Sequence, residues 1–183
     1  MIRSGLGLGP WDAFHVGISR LTGITIGTAS ILTGLMIVLG SMTLGIRPGQ
    51  GTIANMILIG VFTDLVLPWI PDAPGVFIPY LYFGIGIALT GLSTGMYIGA
   101  GLGSGPRDSL MLGISQSRGW PIFPVRAGIE LSALAGGWWM GAPIGIGTVL
   151  FAVFSGPAAQ YGLQLFGVLP ARNTPPATRK KDI

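Results

Sequence analysis

The chain has 183 residues, of which 9% are charged and 50% are hydrophobic, and its net charge is +4. A soluble domain carries roughly 25% charged residues, so this composition excludes a water-soluble globular protein and predicts an integral membrane protein. The absence of cysteine excludes disulfides and thiolate sites. Four of the ten basic residues fall in the C-terminal tail, where they favour a cytoplasmic tail over a nucleic-acid partner.

The first structural signal along the chain is Pro10. Proline is favoured at the first position of a helix, and an acid such as Asp12 suits the positive end of the helix dipole. We therefore predict a helix from Pro10 to about Leu21. About a dozen residues rise only about 18 Å, well short of the roughly 30 Å hydrocarbon core, so this helix is predicted not to cross the bilayer.

Longer apolar segments follow on both sides of a proline-rich linker. Residues 25–45 and 52–70 are each long enough to span the membrane, and the linker at 71–76 ends the second of them. A second short helix is predicted at 106–118. The spans predicted in the second half are 77–99, 121–141 and 144–166, and the basic tail 170–183 is predicted to be disordered.

The chain repeats itself at an offset of 96 residues. Residues 5–19 and 101–115, aligned without a gap, are identical at nine of fifteen positions, and both begin with Gly-Leu-Gly-x-Gly-Pro-x-Asp. The same offset places the glycine-threonine turn 49–52 on 145–148. Self-similarity at one fixed offset indicates a duplicated unit. The predicted organisation is repeat one over 1–70, a linker over 71–76, and repeat two over 77–169.

The two copies differ at their start, because copy two begins with the span 77–99 and copy one has four residues before Gly5. We interpret the chain as N-terminally shortened, with six spans in the longer form; the alternative is a five-span protein with an asymmetric first copy. Each copy would have three spans, because its short helix does not cross the membrane. An odd number of crossings per copy predicts that the second copy is inverted relative to the first. The positive-inside rule then places the C-terminus in the cytoplasm.

The repeated glycine-proline-aspartate block, the Gly-Ile-Ser helix and the glycine-threonine turn resemble the YczE/YyaS/YitT family of bacterial membrane proteins, and most closely its YczE branch. The resemblance covers about residues 5–166. It implies a multi-pass protein of the bacterial cell membrane with a span ahead of the first motif. It supplies no reaction, since no biochemical activity is well established for the family.

Two aspartates are the first candidates for function. Asp12 and Asp108 each occupy the third position of a short helix, after the motif residues Gly9, Pro10, Gly105 and Pro106. One interpretation is that the carboxylates only balance the helix dipoles. The other is that the two inverted helices meet near the midplane of the membrane and line a shared cavity. Non-spanning helices at membrane depth are tolerated where they are buried in protein or line such a cavity.

Further polar residues lie in the predicted spans. Arg126 and Glu130 are spaced i, i+4 and are either a self-neutralising pair near the interface or part of a pathway. Asp64 and Asn55 lie in the span 52–70, where an interfacial and a pathway position both remain open.

His15 and Arg107 are the remaining candidates. His15 is the only histidine, and it is either a satisfied interior residue or part of a proton relay. Arg107 replaces Trp11 of the first copy, and it either faces an anion or marks the cytoplasmic side. A single histidine and no cysteine predict no metal site.

Enzyme motifs for zinc hydrolysis, phosphate loops and serine triads are absent from the sequence, so we predict no enzyme activity and no cofactor. The predicted function is a small-solute transporter or channel-like permease, with its site at the paired Gly-Pro-x-Asp helices. The alternative is a membrane accessory or scaffold that binds a partner protein. For either function the protein is embedded in the lipid bilayer, and a homodimer is compatible with both functions.

Overall fold

The computed structural model describes residues 1–46, 48–101 and 105–168, and these residues are all-helical or irregular. Arg47 and the predicted tail 170–183 lie outside the described residues. Short 3₁₀ turns are present at Ile2–Ser4 and Leu67–Trp69. The helices are α1 (Pro10–Thr22), α2 (Ile26–Thr43), α3 (Gln50–Val66), α4 (Phe77–Gly99), α5 (Pro106–Arg118), α6 (Ile122–Trp139) and α7 (Ile146–Leu165).

The two short helices begin and end on equivalent residues. Each has proline at its first position, preceded by a glycine in extended conformation (Gly9 or Gly105). Each ends before a glycine in the left-handed region, with φ of 78° at Gly23 and 66° at Gly119. Such a glycine stops a helix because it adopts positive φ without steric cost. The prediction of two helices of about a dozen residues is confirmed: both have 13 residues, about 20 Å of rise.

Among the described residues, four helices are long and apolar enough to cross a membrane: α2, α3 with its 3₁₀ extension, α4 and α7. These match four of the five predicted spans. The fifth, α6, has 18 residues that include Arg126 and Glu130, and it is not among the four. Arg126 and Glu130 lower the mean hydropathy of α6. That α6 crosses the membrane therefore stays a prediction.

Each short helix packs on a long helix of the other half of the chain, α1 on α6 and α5 on α2. The side chain of Arg20, in the last turn of α1, donates to the carbonyl of Gly141, just after α6. Because α2 begins four residues after α1 ends, the start of α2 and the end of α6 lie at the same end of the bundle. The equivalent helices α2 and α6 therefore run in opposite directions.

The largest interface joins α4 and α7 through small residues. A Cβ added at Gly91 would lie 2.3 Å from the Ala158 carbonyl oxygen, and one at Gly95 would lie 2.2 Å from that of Gly162. Small residues let membrane helices approach this closely, because helix association in lipid depends on packing rather than on the hydrophobic effect. Beside α1, a separate small core consists of Leu8, Ala13, Val16 and Ala142.

Candidate functional site

The glycine-rich segment before α1 docks on the first turn of α7. The Gly147 amide donates to the Leu6 carbonyl at 2.7 Å, and the Thr148 hydroxyl donates to the Leu8 carbonyl at 2.8 Å. A Cβ at Gly7 would lie 2.5 Å from the Gly145 nitrogen, so no side chain fits there. The glycines of the motif thus position α1 through backbone contacts. The sequence carried a signal of this role in the repeated glycine-threonine turn, but its docking partner was not predicted.

The N-terminal turns of the two short helices meet. The Arg107 guanidinium lies 5.3 Å from the centre of the Trp11 ring, within the range of a cation–π contact. Trp11 and Arg107 occupy equivalent positions in the repeat. The Trp11 ring also lies 6.3 Å from the imidazole of His15. The start of α5 therefore faces the first turns of α1.

A cavity of about 30 Å³ lies between α1, α2, α3 and α5. This volume has room for about two water molecules. Its polar lining comprises His15, Ser30, Thr33, Asn55 and Arg107. The other lining residues are Trp11, Gly34, Ile37, Met56, Ile59 and Pro106.

Four of the polar lining side chains lack a protein partner. Within the described residues, His15, Ser30, Thr33 and Asn55 make no side-chain hydrogen bond to another protein group. His15 and Thr33 are each only 7% exposed. Buried polar groups are nearly always hydrogen-bonded, to protein or to something that the protein holds. The lining can therefore form hydrogen bonds with water or with a small solute that enters the cavity.

Burial also sets the protonation of the groups on α1, a helix outside the candidate spans. It lowers the pKa of the His15 imidazole to about 4, with a smaller contribution in the same direction from Arg107. The imidazole is therefore neutral at pH 7, with one nitrogen as donor and the other as acceptor. Burial raises the pKa of the Asp12 carboxyl above its usual range, and the positive charge of Arg107 opposes that rise.

Positions that are 96 residues apart in the sequence differ near the cavity. A Cβ at Gly9 would lie 3.3 Å from the Phe151 ring, whereas a Cβ at Gly105 would lie 3.5 Å from Asn55 Oδ1. Asn55 and Phe151 are equivalent in the repeat. A large aromatic ring therefore packs against the start of α1, and a smaller amide stands against the start of α5.

A second difference lies on α2 and α6. Ser30 and Gly34 line the cavity, and their counterparts in the other half are Arg126 and Glu130. Arg126 Nε lies 3.1 Å from Glu130 Oε1, with the two side chains 51% and 36% exposed. The ion pair thus occupies positions at which the first half has small residues.

The two motif aspartates have different surroundings. Asp108 accepts a hydrogen bond of 2.5 Å from the Tyr97 hydroxyl, and Asp12 lies near Arg107. The described lining of the cavity includes neither carboxylate. Tyr97 was missed in the sequence, because a tyrosine at the end of an apolar span gives no signal of its partner.

Asp64 stabilises the start of α2. Its carboxylate accepts hydrogen bonds from the Thr25 hydroxyl at 2.5 Å and from the Gly27 amide at 2.7 Å. These contacts satisfy an amide at a helix N-terminus, where a negative charge is also favoured. Asp64 is not part of the described lining. Among the described residues, no group of three or more histidine or acidic side chains is placed to hold a metal ion.

The helices and the composition together define an all-helical membrane protein. Residues 1–163 match the model of DUF6198, a family of unknown function, and the chain belongs to this family. It is 43% identical to "Uncharacterized membrane protein YczE" of Bacillus subtilis (strain 168), over 92% of this chain and 81% of that protein. It is 36% identical to an "Uncharacterized protein" of Haemophilus influenzae, over 93% of this chain and 78% of that protein.

A further relative is "Uncharacterized protein YyaS" of Bacillus subtilis, 29% identical over 85% of this chain and 79% of that protein. The resemblance to YczE and YyaS inferred from the repeated motif is thereby confirmed. No solved structure matches the chain.

Proposed function

We propose that the protein is a small-solute transporter or channel-like permease of the bacterial cell membrane, with its solute site in the cavity at the start of α5. The observation that carries the proposal is the set of four polar side chains, without hydrogen bonds to other described protein groups, around one small cavity between the helices. Polar groups at membrane depth are costly and are generally kept where they serve a pathway. Transporter sites lie where non-spanning helices of two repeats meet.

The geometry of the two halves supports an inverted repeat. The starts of α1, α2 and α3 recur in α5, α6 and α7 at the offset of 96 residues. The equivalent helices α2 and α6 run in opposite directions, and each short helix packs on a long helix of the other half. An inverted pair provides two related conformations, in which the site opens to one side of the membrane and then to the other. The C-terminus is proposed to be cytoplasmic.

The second candidate is a membrane accessory protein that binds a partner and moves nothing. The cavity volume of about 30 Å³ favours this candidate, because two ordered waters would satisfy the lining without any transported solute. The two functions differ in whether a solute crosses the bilayer.

Flux through liposomes that contain the purified protein tests the proposal. A panel of small anions, cations and uncharged solutes would be measured with protein-free liposomes as the baseline. We expect Thr33→Val, which removes a hydroxyl from the cavity at nearly constant volume, to reduce flux of the transported solute about tenfold or more. Thr43→Val, at the exposed end of the same helix, is the matched control and should retain flux.

Asp108→Asn tests the motif itself, with Asp72→Asn in the exposed linker as its control. If no solute in the panel moves faster than through protein-free liposomes, transport is refuted and the accessory function is favoured. If a solute moves but Thr33→Val and Asp108→Asn both keep full flux, the assignment of the site is wrong.

A further inference from the structure

We propose that the cavity at the start of α5 binds a small monovalent anion, between a halide and formate in size. This inference rests on the proposed function, since it names the class of solute that the same site would hold. The argument uses the charge of the lining, the hydrogen-bond donors that it offers, and the available volume.

The lining carries one formal charge, and it is positive. Of the described lining residues, Arg107 alone is charged at neutral pH, because His15 is neutral. The ion pairs of the described residues are Arg3–Asp72 and Arg126–Glu130, so Arg107 is in neither. Asp12 is close enough for its charge to interact with that of Arg107, and it is not in the lining. Arg107 is exposed and lies over the Trp11 ring, and an anion in the cavity would place an opposite charge beside it.

Hydrogen-bond donors face the same space. Ser30, Thr33 and Asn55 each have a donor group without a protein acceptor within the described residues, and so does the His15 imidazole. Pro106, the first residue of the 13-residue helix α5, also lines the cavity, so the positive end of that helix dipole points at it. A buried, unpartnered His15 opposite a helix N-terminus is the arrangement that an anion would complete.

A cation is not favoured by this lining. Binding a cation requires carboxylate or several carbonyl oxygens, and the two nearby carboxylates lie elsewhere: Asp108 is bonded to Tyr97, and neither it nor Asp12 is in the described lining. An uncharged solute would use the hydroxyls and the amide but would make no use of the positive charge of Arg107. The volume of about 30 Å³ restricts the occupant to about one to three heavy atoms.

Equilibrium binding to the purified, full-length protein in detergent tests the inference independently of transport. Thermal unfolding would be followed in sodium chloride, bromide and formate up to about 100 mM, against sodium gluconate at equal ionic strength. A ligand that binds the folded state raises the unfolding temperature. Gluconate is too large for the cavity and serves as the baseline. We expect at least one small anion to raise the unfolding temperature in a saturable way.

Variants assign the binding to the cavity. Arg107→Gln should weaken the binding about tenfold or more, whereas Arg118→Gln, at the other end of the same helix and outside the described lining, should leave it unchanged. Asn55→Phe introduces the residue that the second half carries at the equivalent position, so it should fill the cavity without unfolding the protein and abolish binding. Elution as a single symmetric peak in gel filtration confirms that each variant is folded.

The outcomes separate this inference from the proposed function. Anion binding that Arg107→Gln and Asn55→Phe both remove supports the inference, even if no anion crosses liposomes, in which case transport fails alone. The inference is overturned if no small anion stabilises the wild type beyond gluconate, or if Arg107→Gln binds as tightly as Arg118→Gln. The inference is also overturned if the protein moves a cation or an uncharged solute through the same cavity and small anions do not compete with that solute. In that case the proposed transport function still stands.

Discussion

The position of the short helix α1 depends on Gly137 of α6. A Cβ at Gly137 would lie 2.5 Å from the carbonyl carbon of Ala13 and 2.7 Å from the backbone nitrogen of Phe14. Carbon atoms in contact are normally about 3.5–4.0 Å apart, so an added methyl group must push α1 away by about 1 Å. The contacting atoms are backbone, which no rotamer change moves. Gly128, on the same helix, has no atom within 4 Å of its Cβ position.

We therefore expect Gly137→Ala to be less stable than Gly128→Ala. Both variants gain about 1 kcal/mol of helix propensity, but only Gly137→Ala also incurs overpacking, which typically costs about 1–3 kcal/mol. The propensity cancels in the comparison, so Gly137→Ala should be less stable than Gly128→Ala by about 1–3 kcal/mol. For a chain of this size that corresponds to about 2–4 °C in unfolding temperature for each kcal/mol.

The assay is thermal unfolding of the two purified variants and the wild type in the same detergent. Gly128→Ala should unfold at or above the wild-type temperature, and Gly137→Ala at or below it. Equal unfolding temperatures for the two variants would refute the close contact between α1 and α6, and with it the placement of Trp11 and His15 at the cavity.

Three further predictions concern stability. Asp64→Ala removes two hydrogen bonds at the start of α2 and should lower the free energy of unfolding by about 1–2 kcal/mol. Asp72→Ala breaks an exposed ion pair and should lower it by less than about 1 kcal/mol. Denaturant unfolding of the two variants compares these free energies. Thr148→Val leaves the Leu8 carbonyl without its donor and should cost about 1–3 kcal/mol by the same measurement. For His15, the folded pKa of about 4 lies below the ordinary value of 6.5, so the unfolded state binds more protons between these pH values and stability falls as the pH falls. Between pH 8 and pH 5 the free energy of unfolding should fall by about 2 kcal/mol in the wild type, and His15→Gln should lack this decrease. An equal decrease in both proteins would show that another group is responsible.

The sequence predicted the helices well because their ends carry strong local signals. Proline starts α1 and α5 and glycine ends them, so the helix 106–118 was predicted with the bounds that the structure has. The span 77–99 was also predicted with the observed bounds. These signals act through backbone φ and the missing proline amide, which depend on the residue itself and not on tertiary contacts.

The packing partners could not be predicted in the same way. The long helices are apolar on all sides, because lipid and neighbouring helices are both apolar, so no polar face distinguishes one from the other. That α1 packs on α6 of the other half follows only from the fold.

Three of the residues named from the sequence lie in the lining of the cavity, although the two motif aspartates do not. His15, Asn55 and Arg107 were named as candidates from their residue types, and the structure brings all three to one lining. Thr33 was missed, because a threonine within an apolar helix normally bonds to its own backbone. A comparison of the two halves contained the clearest signal: Ser30 is small where the other half has the longer Arg126.

The proposed transport depends on an inverted arrangement of the two halves, and labelling of single cysteines tests that arrangement most directly. The chain has no cysteine of its own, so Thr22→Cys and Arg118→Cys each give one thiol, at equivalent exposed positions at the ends of α1 and α5. A membrane-impermeant thiol reagent applied to intact cells should label Thr22→Cys, and should label Arg118→Cys only after the membrane is opened. Labelling of both thiols from the same side would contradict the inverted repeat.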